Sequence, residues 1–340
     1  MNGKLSMKEI HFDHKMAAHC ESGTVTALLN HGGLEISEPM LFGIASGIFF
    51  GYFESSNFPF PMFIVRNKPG SMRKNIAKRL GVKFYTKSFK NSEQGISELD
   101  TLLAKGQPVA TQVDFYYMEF LPEFMRAHIN VHFVNVVGKN EKNYLVSDSY
   151  HRHKAELNIN TLNKARFVGG YMAPKGFLFY PTHIPENIDF DKAIIKGIKK
   201  AAYDMTKLPV PFVGIKGMRK FAKKVIGWPA LARDIDHLSH EVMKINVLLE
   251  DQGTGGAGFR FLYATFLQQA AQKLNDGQLE SMSKRMMAIG DDWRNISYFA
   301  AKIGKNRDLG EERMNELSQM IYHMADQEQV FFSELYKLVK

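Results

Sequence analysis

Apolar and polar positions follow two different rhythms along the chain, and the change falls just past its middle. In the first half, short helical stretches precede a run of strands. "TVTALLNHGG" (24–33) reads as a helix and stops at Gly32–Gly33, a common helix end. "SMRKNIAKRLG" (71–81) predicts a second helix. "SEQGISELDTLLAKG" (92–106) predicts a third, with Ser92 as its N-cap and Gly106 past its end. Strands follow at "PVATQVDFYY" (108–117), "VHFVNVVG" (131–138), "NYLVSDSY" (143–150) and "GGYMAPKGFLFYP" (169–181), all rich in Val, Phe and Tyr. The polar turn "GKNEKN" (138–143) joins two of them as a hairpin.

A segment with two prolines and little apolar content, "YPTHIPENIDFD" (180–191), marks the boundary. Beyond it, apolar residues recur every three or four positions at 230–252, 258–274, 280–303 and 310–339. The pattern therefore predicts an α+β domain over 1–184, helices leading an antiparallel sheet, and an α-helical domain over 185–340. A length of 340 residues fits two domains. No internal repeat or low-complexity tract interrupts them.

Composition narrows the class. Hydrophobic residues make up 45% and charged residues 23%, the profile of a globular protein. The longest apolar stretch, "PMLFGIASGIFFGYF" (39–53), is too short for a bilayer that needs about 20 residues, and reads as buried. "MNGKLSMKEIHFDHKM" has no apolar core of signal-peptide length. With a single cysteine there is no internal disulfide, so a reducing, cytoplasmic setting is expected.

The formal net charge is +9, and residues 191–225 hold ten basic and two acidic residues. Such a surface attracts nucleic acid, anionic lipid or an acidic protein. No zinc-finger spacing, RNA-binding signature or phosphate loop accompanies it, so nucleic acid is not an expected partner. A solvated helix face is the plain reading, and an acidic protein partner comes next. Peripheral membrane contact and oligomeric state stay open.

The candidate chemistry gathers around Cys20. It stands just before a predicted helix, where backbone N–H groups favour an anion. A nucleophilic cysteine needs a base and a group to orient that base. His132 opens one strand of the predicted hairpin and Asp148 closes the other, which makes them neighbours at one end of the sheet. Each has a plainer alternative: Cys20 as an inert core residue, His132 as a satisfied core histidine, Asp148 as a turn cap. His151 and His153 have a metal-like spacing but no third ligand nearby, so no metal is expected.

A cysteine leading a helix, then a strand opening with His and a strand ending in Asp, resembles the order in papain-like cysteine enzymes. The blocks "HCESGTVTALLNHGGLEISEPMLFGIASG" (19–47) and "VDFYYM…HINVHFVNVVG…YLVSD" (113–148) are similar to the N-terminal domain of the butirosin biosynthesis protein H family. "GGAGFRFLYATFLQQAA" (255–271) and "DDWRNISYFAAKI" (291–303) resemble the helical domain that follows it there. The resemblance implies transfer of an acyl group from the thioester of an acidic acyl carrier protein to an amine acceptor, in secondary-metabolite or lipid biosynthesis. Cys20 would be nucleophile, His132 base and Asp148 orienter. No cofactor is implied beyond the phosphopantetheine that carries the substrate.

Papain-like enzymes often have a glutamine upstream of the cysteine as oxyanion donor, and "FDHKMAAHC" has none. His14 could substitute, and the Cys20 N–H could contribute. His19 is a candidate second base or a structural residue. Glu38 is a candidate helix-start or substrate-pocket residue. In "GTGGAGFRF" (253–261), Arg260 could meet the phosphopantetheine phosphate, or pair with a carboxylate across a tight turn. The 26 Phe and 18 Met could line an acyl channel or simply fill the core. Two other functions fit the residues: a papain-like peptidase, amidase or thioesterase with water as acceptor, and an inactive protein that binds without catalysis.

Overall fold

In a computed structural model of the chain, residues 8–55 and 60–339 are described. They form two compact units, one of residues 1–41 and 76–188, the other of 42–75 and 189–340. The elements of the first part of the chain are β1 (Lys8–Glu9), α1 (Cys20–His31), α2 (Glu38–Ile44), β2 (Ile48–Phe53), β3 (Met62–Arg66), α3 (Ser71–Leu80) and β4 (Lys83–Lys87). Next come α4 (Ser92–Ala104), β5 (Val109–Val113), β6 (His132–Lys139), β7 (Asn143–Ser147), β8 (Ala155–Asn158), α5 (Ile159–Phe167) and β9 (Leu178–His183).

The first unit is built on an antiparallel sheet in the order β4-β9-β5-β6-β7-β8, with β1 pairing the far end of β6. Seven of the eight residues of the central strand β6 are buried. Alternate side chains serve opposite faces. Val134 and Val136 enter a core with Leu99, Leu102 and Leu103 of α4 and Leu162 of α5. Asn135 points the other way and donates to the Thr24 carbonyl of α1. Thr24 in turn donates to the Phe133 carbonyl at 3.2 Å. These two bonds tie α1 to β6.

The sequence pattern placed the start of α1 at Thr24; it starts at Cys20. Residues 20–26 of this helix are all buried, so tertiary packing sustains a stretch whose Ser, Gly and Thr residues are poor helix formers. Gly23 is required there, because a Cβ would run into the Ala17 side chain. The cap of α4 is Asn91, whose side chain accepts from the Glu93 and Gln94 N–H groups; the expected cap, Ser92, is the first helical residue. The strand expected at 108–117 ends at Val113, where Asp114 caps a short 3-10 turn. Helix α5 was not apparent in the sequence. Its fully buried Arg166 donates to Thr111 Oγ1 and to the Gly95 and Gly176 carbonyls, and burial lowers its pKa to about 10.

The second unit contains α6 (Phe190–Thr206), α7 (Gly214–Val225), α8 (Trp228–Leu231), α9 (Ile235–Asn246), α10 (Arg260–Leu274), α11 (Gly277–Lys305) and α12 (Glu311–Leu338). It differs from a plain helical domain over 185–340 by taking in residues 42–75. The reason is aromatic packing. In the β2–β3 hairpin, Phe50 and Phe63 lie 6.3 Å and 5.0 Å from Phe221 of α7, and Phe50 lies 6.0 Å from Trp293 of α11. Ser46 donates to the Gly197 carbonyl of α6 at 2.7 Å, an approach that a Cβ at Gly197 would block. The apolar run 39–53 is thus α2 plus a buried strand. Among the described residues, no helix is long and apolar enough to cross a membrane.

Candidate active site

Cys20 occupies the first position of α1 and is 6% exposed. Its N–H belongs to the first helical turn, where no intrahelical acceptor exists. Local sequence supplies no side-chain cap: His19 is the N-cap residue, and its side chain makes no capping bond. Glu38, 18 residues away, instead holds the turn that leads into the helix. Its Oε2 accepts from Ala18 N–H at 2.7 Å, and its Oε1 accepts from His19 N–H at 2.9 Å and from Ser22 Oγ at 2.7 Å. Burial pushes the Glu38 carboxyl above its ordinary value, against the pull of those three donors. The expected substrate contact at Glu38 is therefore corrected: its oxygens face the turn that holds the nucleophile. The signal available in the sequence was Glu38–Pro39 at a helix start.

Asp148 follows the last residue of β7. Asn135 pairs with Ser147, so Asp148 leaves β7 beside the start of β6, where His132 stands. His132 Nε2 and Asp148 Oδ2 are 2.8 Å apart, in a pocket where His132 is 5% and Asp148 1% exposed. Cys20 lies close enough to the ring to act on its charge, and Cys20 Sγ lies 3.9 Å from the Val131 carbonyl oxygen. Since Nε2 belongs to Asp148, Nδ1 is the ring nitrogen left for Cys20. Burial alone would favour the neutral imidazole; the Asp148 charge and hydrogen bond, with a contribution from Cys20, outweigh it and raise the pKa to about 10. That shift favours the protonated ring at neutral pH.

Two aromatic side chains pack against that ring. Phe115 meets His132 edge-on at 4.8 Å between centroids, and Tyr150 does so at 5.9 Å. Neither was singled out in the sequence, because each depends on the fold of a loop. Asp114 sets one of these loops: its carboxylate accepts from Tyr116 N–H, Ile129 N–H and His128 Nδ1.

Cys20, His132 and Asp148 thus come together; the accessory candidates do not join them. His14 donates from Nε2 to the His151 carbonyl at 2.9 Å, and its Nδ1 bonds Ser147 Oγ at 2.8 Å. With both ring nitrogens engaged, it has no N–H for an oxyanion. It braces the segment flanking Asp148. His19 is buried at the helix cap, its backbone held by Glu38. Arg260 lies in the second unit, fully buried, and donates from Nε and Nη2 to the two oxygens of Glu328 at 2.8 and 3.0 Å. Trp293 Nε1 donates to the same carboxylate. A phosphate contact at Arg260 is therefore corrected in favour of the carboxylate pair. Among the described residues, no group of His, Cys, Asp and Glu is arranged to hold a metal ion.

A cysteine at the start of a helix thus stands beside an antiparallel sheet that supplies a histidine from one strand and an aspartate from just past the end of the next. It equips the chain for cysteine-dependent acyl transfer or hydrolysis.

Residues 19–149 match the family model described as butirosin biosynthesis protein H, N-terminal. Residues 160–335 match that of a domain of unknown function, DUF4872. No curated protein matches the chain. Among solved structures, it is similar to one from Bacillus anthracis, named there only as a candidate C39-like peptidase. The identity is 15% and the TM-score 0.36, over 52% of this chain and 97% of that one. Because the second family model takes in 176 of the 340 residues, the chain belongs to the DUF4872 family, with a butirosin-protein-H-type segment ahead of that domain.

Proposed function

We propose that the protein is a cysteine-dependent acyltransferase that moves an acyl group from a carrier-protein thioester to an amine. The observation that carries this reading is the buried His132–Asp148 pair beside Cys20, with the Phe115 ring packed edge-on against the imidazole. The family match at 19–149 is to a biosynthesis protein, which fits transfer better than peptide cleavage.

The Cys20 thiolate adds to the thioester carbonyl, and the new alkoxide is met by the Cys20 N–H at the helix start. The intermediate collapses, the bond to the carrier sulfur breaks, and His132 gives its proton to that sulfur. An amine then adds to the acyl-enzyme. His132 takes a proton from the nitrogen, and collapse releases the amide and restores Cys20. Asp148 keeps the ring oriented throughout. No resident cofactor takes part; phosphopantetheine arrives with the donor.

Charge supports an acidic carrier. On α6, Lys192, Lys196 and Lys199 are exposed and make no ion pair with an acid among the described residues. Part of the basic segment is already neutralised, since Arg219 pairs with Asp326, and Lys220 and Lys224 with Glu54.

Intact-mass measurement after incubation with acyl-loaded carrier protein tests the proposal. The expected result is one acyl group on Cys20, discharged by amines to amides. Discharge only to free acid, with every amine offered, would replace the transferase by a hydrolase. No adduct from any thioester would overturn the reading.

A further inference from the structure

The loops around the nucleophile expose apolar side chains in the one place where their function would need them. The loop between β5 and β6 runs from Asp114 to Val131, whose carbonyl meets Cys20 Sγ. The loop between α5 and β9 is tied to it. Asn130 Nδ2 donates to the Gly169 and Tyr171 carbonyls, and Gln112 Nε2 donates to the Asn130 and Met172 carbonyls. From these joined loops, Phe124 is 89% and Tyr171 85% exposed, and Met125 and Tyr116 are also exposed. Tyr116 stacks on His128 at 4.2 Å, which is held by Asp114, so its ring is fixed in place while presented to solvent. The residue next to it, Phe115, is the one that packs on His132. The exposed rings are therefore carried by the same loop that packs on the catalytic ring.

We infer that Phe124, Met125, Tyr171 and Tyr116 form the binding surface for the acyl chain of the donor, and that this chain is apolar: a fatty or aryl acyl group. The inference rests on the acyltransferase reading and names its substrate class. Two observations select an acyl chain as the occupant. The loop that carries Tyr116, Phe124 and Met125 also reaches the reacting sulfur at the Val131 carbonyl and packs on His132 at Phe115, and the loop of Tyr171 is bonded to it at Asn130. The residues of the surface are rings and a thioether, which suit an adaptable apolar ligand.

The test uses the full chain with N-acetylcysteamine thioesters of straight acyl groups from two to twelve carbons. Acylation of Cys20 is followed by intact mass and rate. In the wild-type protein, kcat/KM is expected to rise about threefold per added methylene across the middle of the series, near the ~0.8 kcal/mol of a buried CH2. Phe124→Ser with Tyr171→Ser should reduce that rise to less than 1.5-fold per methylene. Tyr298→Ser, at an exposed ring of the other unit, should keep the wild-type slope. Acylation with a flat chain-length profile would overturn this inference and leave the acyltransferase reading standing. A steep profile unchanged in the double variant would also overturn it. So would a variant effect confined to carrier-bound donors, which would make the surface a protein-docking patch. No acylation by any thioester would overturn the function reading, and this inference with it.

Discussion

His132 gives Nε2 to Asp148 at 2.8 Å, and that contact decides both the charge and the orientation of the ring. Burial would otherwise leave a neutral imidazole free to present either nitrogen. In Asp148→Asn the anion is gone and burial acts unopposed, so the ring should lose its proton at a lower pH. Turnover is expected to fall about 10²–10⁴-fold. The alkaline limb of the pH–rate profile should move toward neutrality; an unmoved limb would separate His132 from the rate-determining proton transfers.

The same pair predicts a pH-dependent stability. The folded pKa of about 10 lies above the ordinary 6.5, so the native state holds the proton more tightly. That stabilisation is complete below about pH 6.5 and is lost as pH rises through about 10. Urea midpoints measured across this window should decline more steeply in the wild type than in Asp148→Asn. Parallel curves would mean that the ring is neutral in both.

Cys20→Ala should abolish acyl-enzyme formation, with turnover reduced about a thousandfold or more. Stability should change by no more than about 1 kcal/mol, because the side chain is small and α1 is held at Thr24. Mass spectrometry and thermal melting, taken together, check both halves.

Glu38→Gln places an amide donor against backbone donors at Ala18 and His19. The expected cost is about 1–3 kcal/mol. Since Glu38 positions the turn before Cys20 and touches no reacting atom, kcat should fall while the His132 limb of the pH profile stays in place. A shifted limb would instead put Glu38 in electrostatic contact with the ring.

In the helical unit, Glu328→Ala strands the fully buried Arg260 guanidinium and the Trp293 N–H. Removing one partner of a buried pair costs about 3–5 kcal/mol. Replacing both, as Arg260→Met with Glu328→Leu, should recover much of that loss in denaturant titrations. A large residual loss in the double variant would mean that the pair also sets the shape of the glycine-rich turn at 253–259.

Features encoded close together in the chain were readable without the fold. Cys20 beside a helix and the His132–Asp148 hairpin with its short turn needed only pattern and spacing. So did the long helices α10 to α12, where a three- to four-residue apolar period runs for many turns. The single thiol limited any cysteine chemistry to one position.

Tertiary structure decided the rest, because those assignments depend on partners far away in sequence. Glu38 read as a pocket residue until its oxygens met the N–H groups of residues 18 and 19. Arg260 found its carboxylate 68 residues on, and His14 found Ser147 at 133. The segment 42–75 joins the helical unit through rings that no local period ties to Phe221 or Trp293. Periodicity records which face of an element avoids water; it carries no information on which distant element will cover that face, or where a buried polar atom will find its partner.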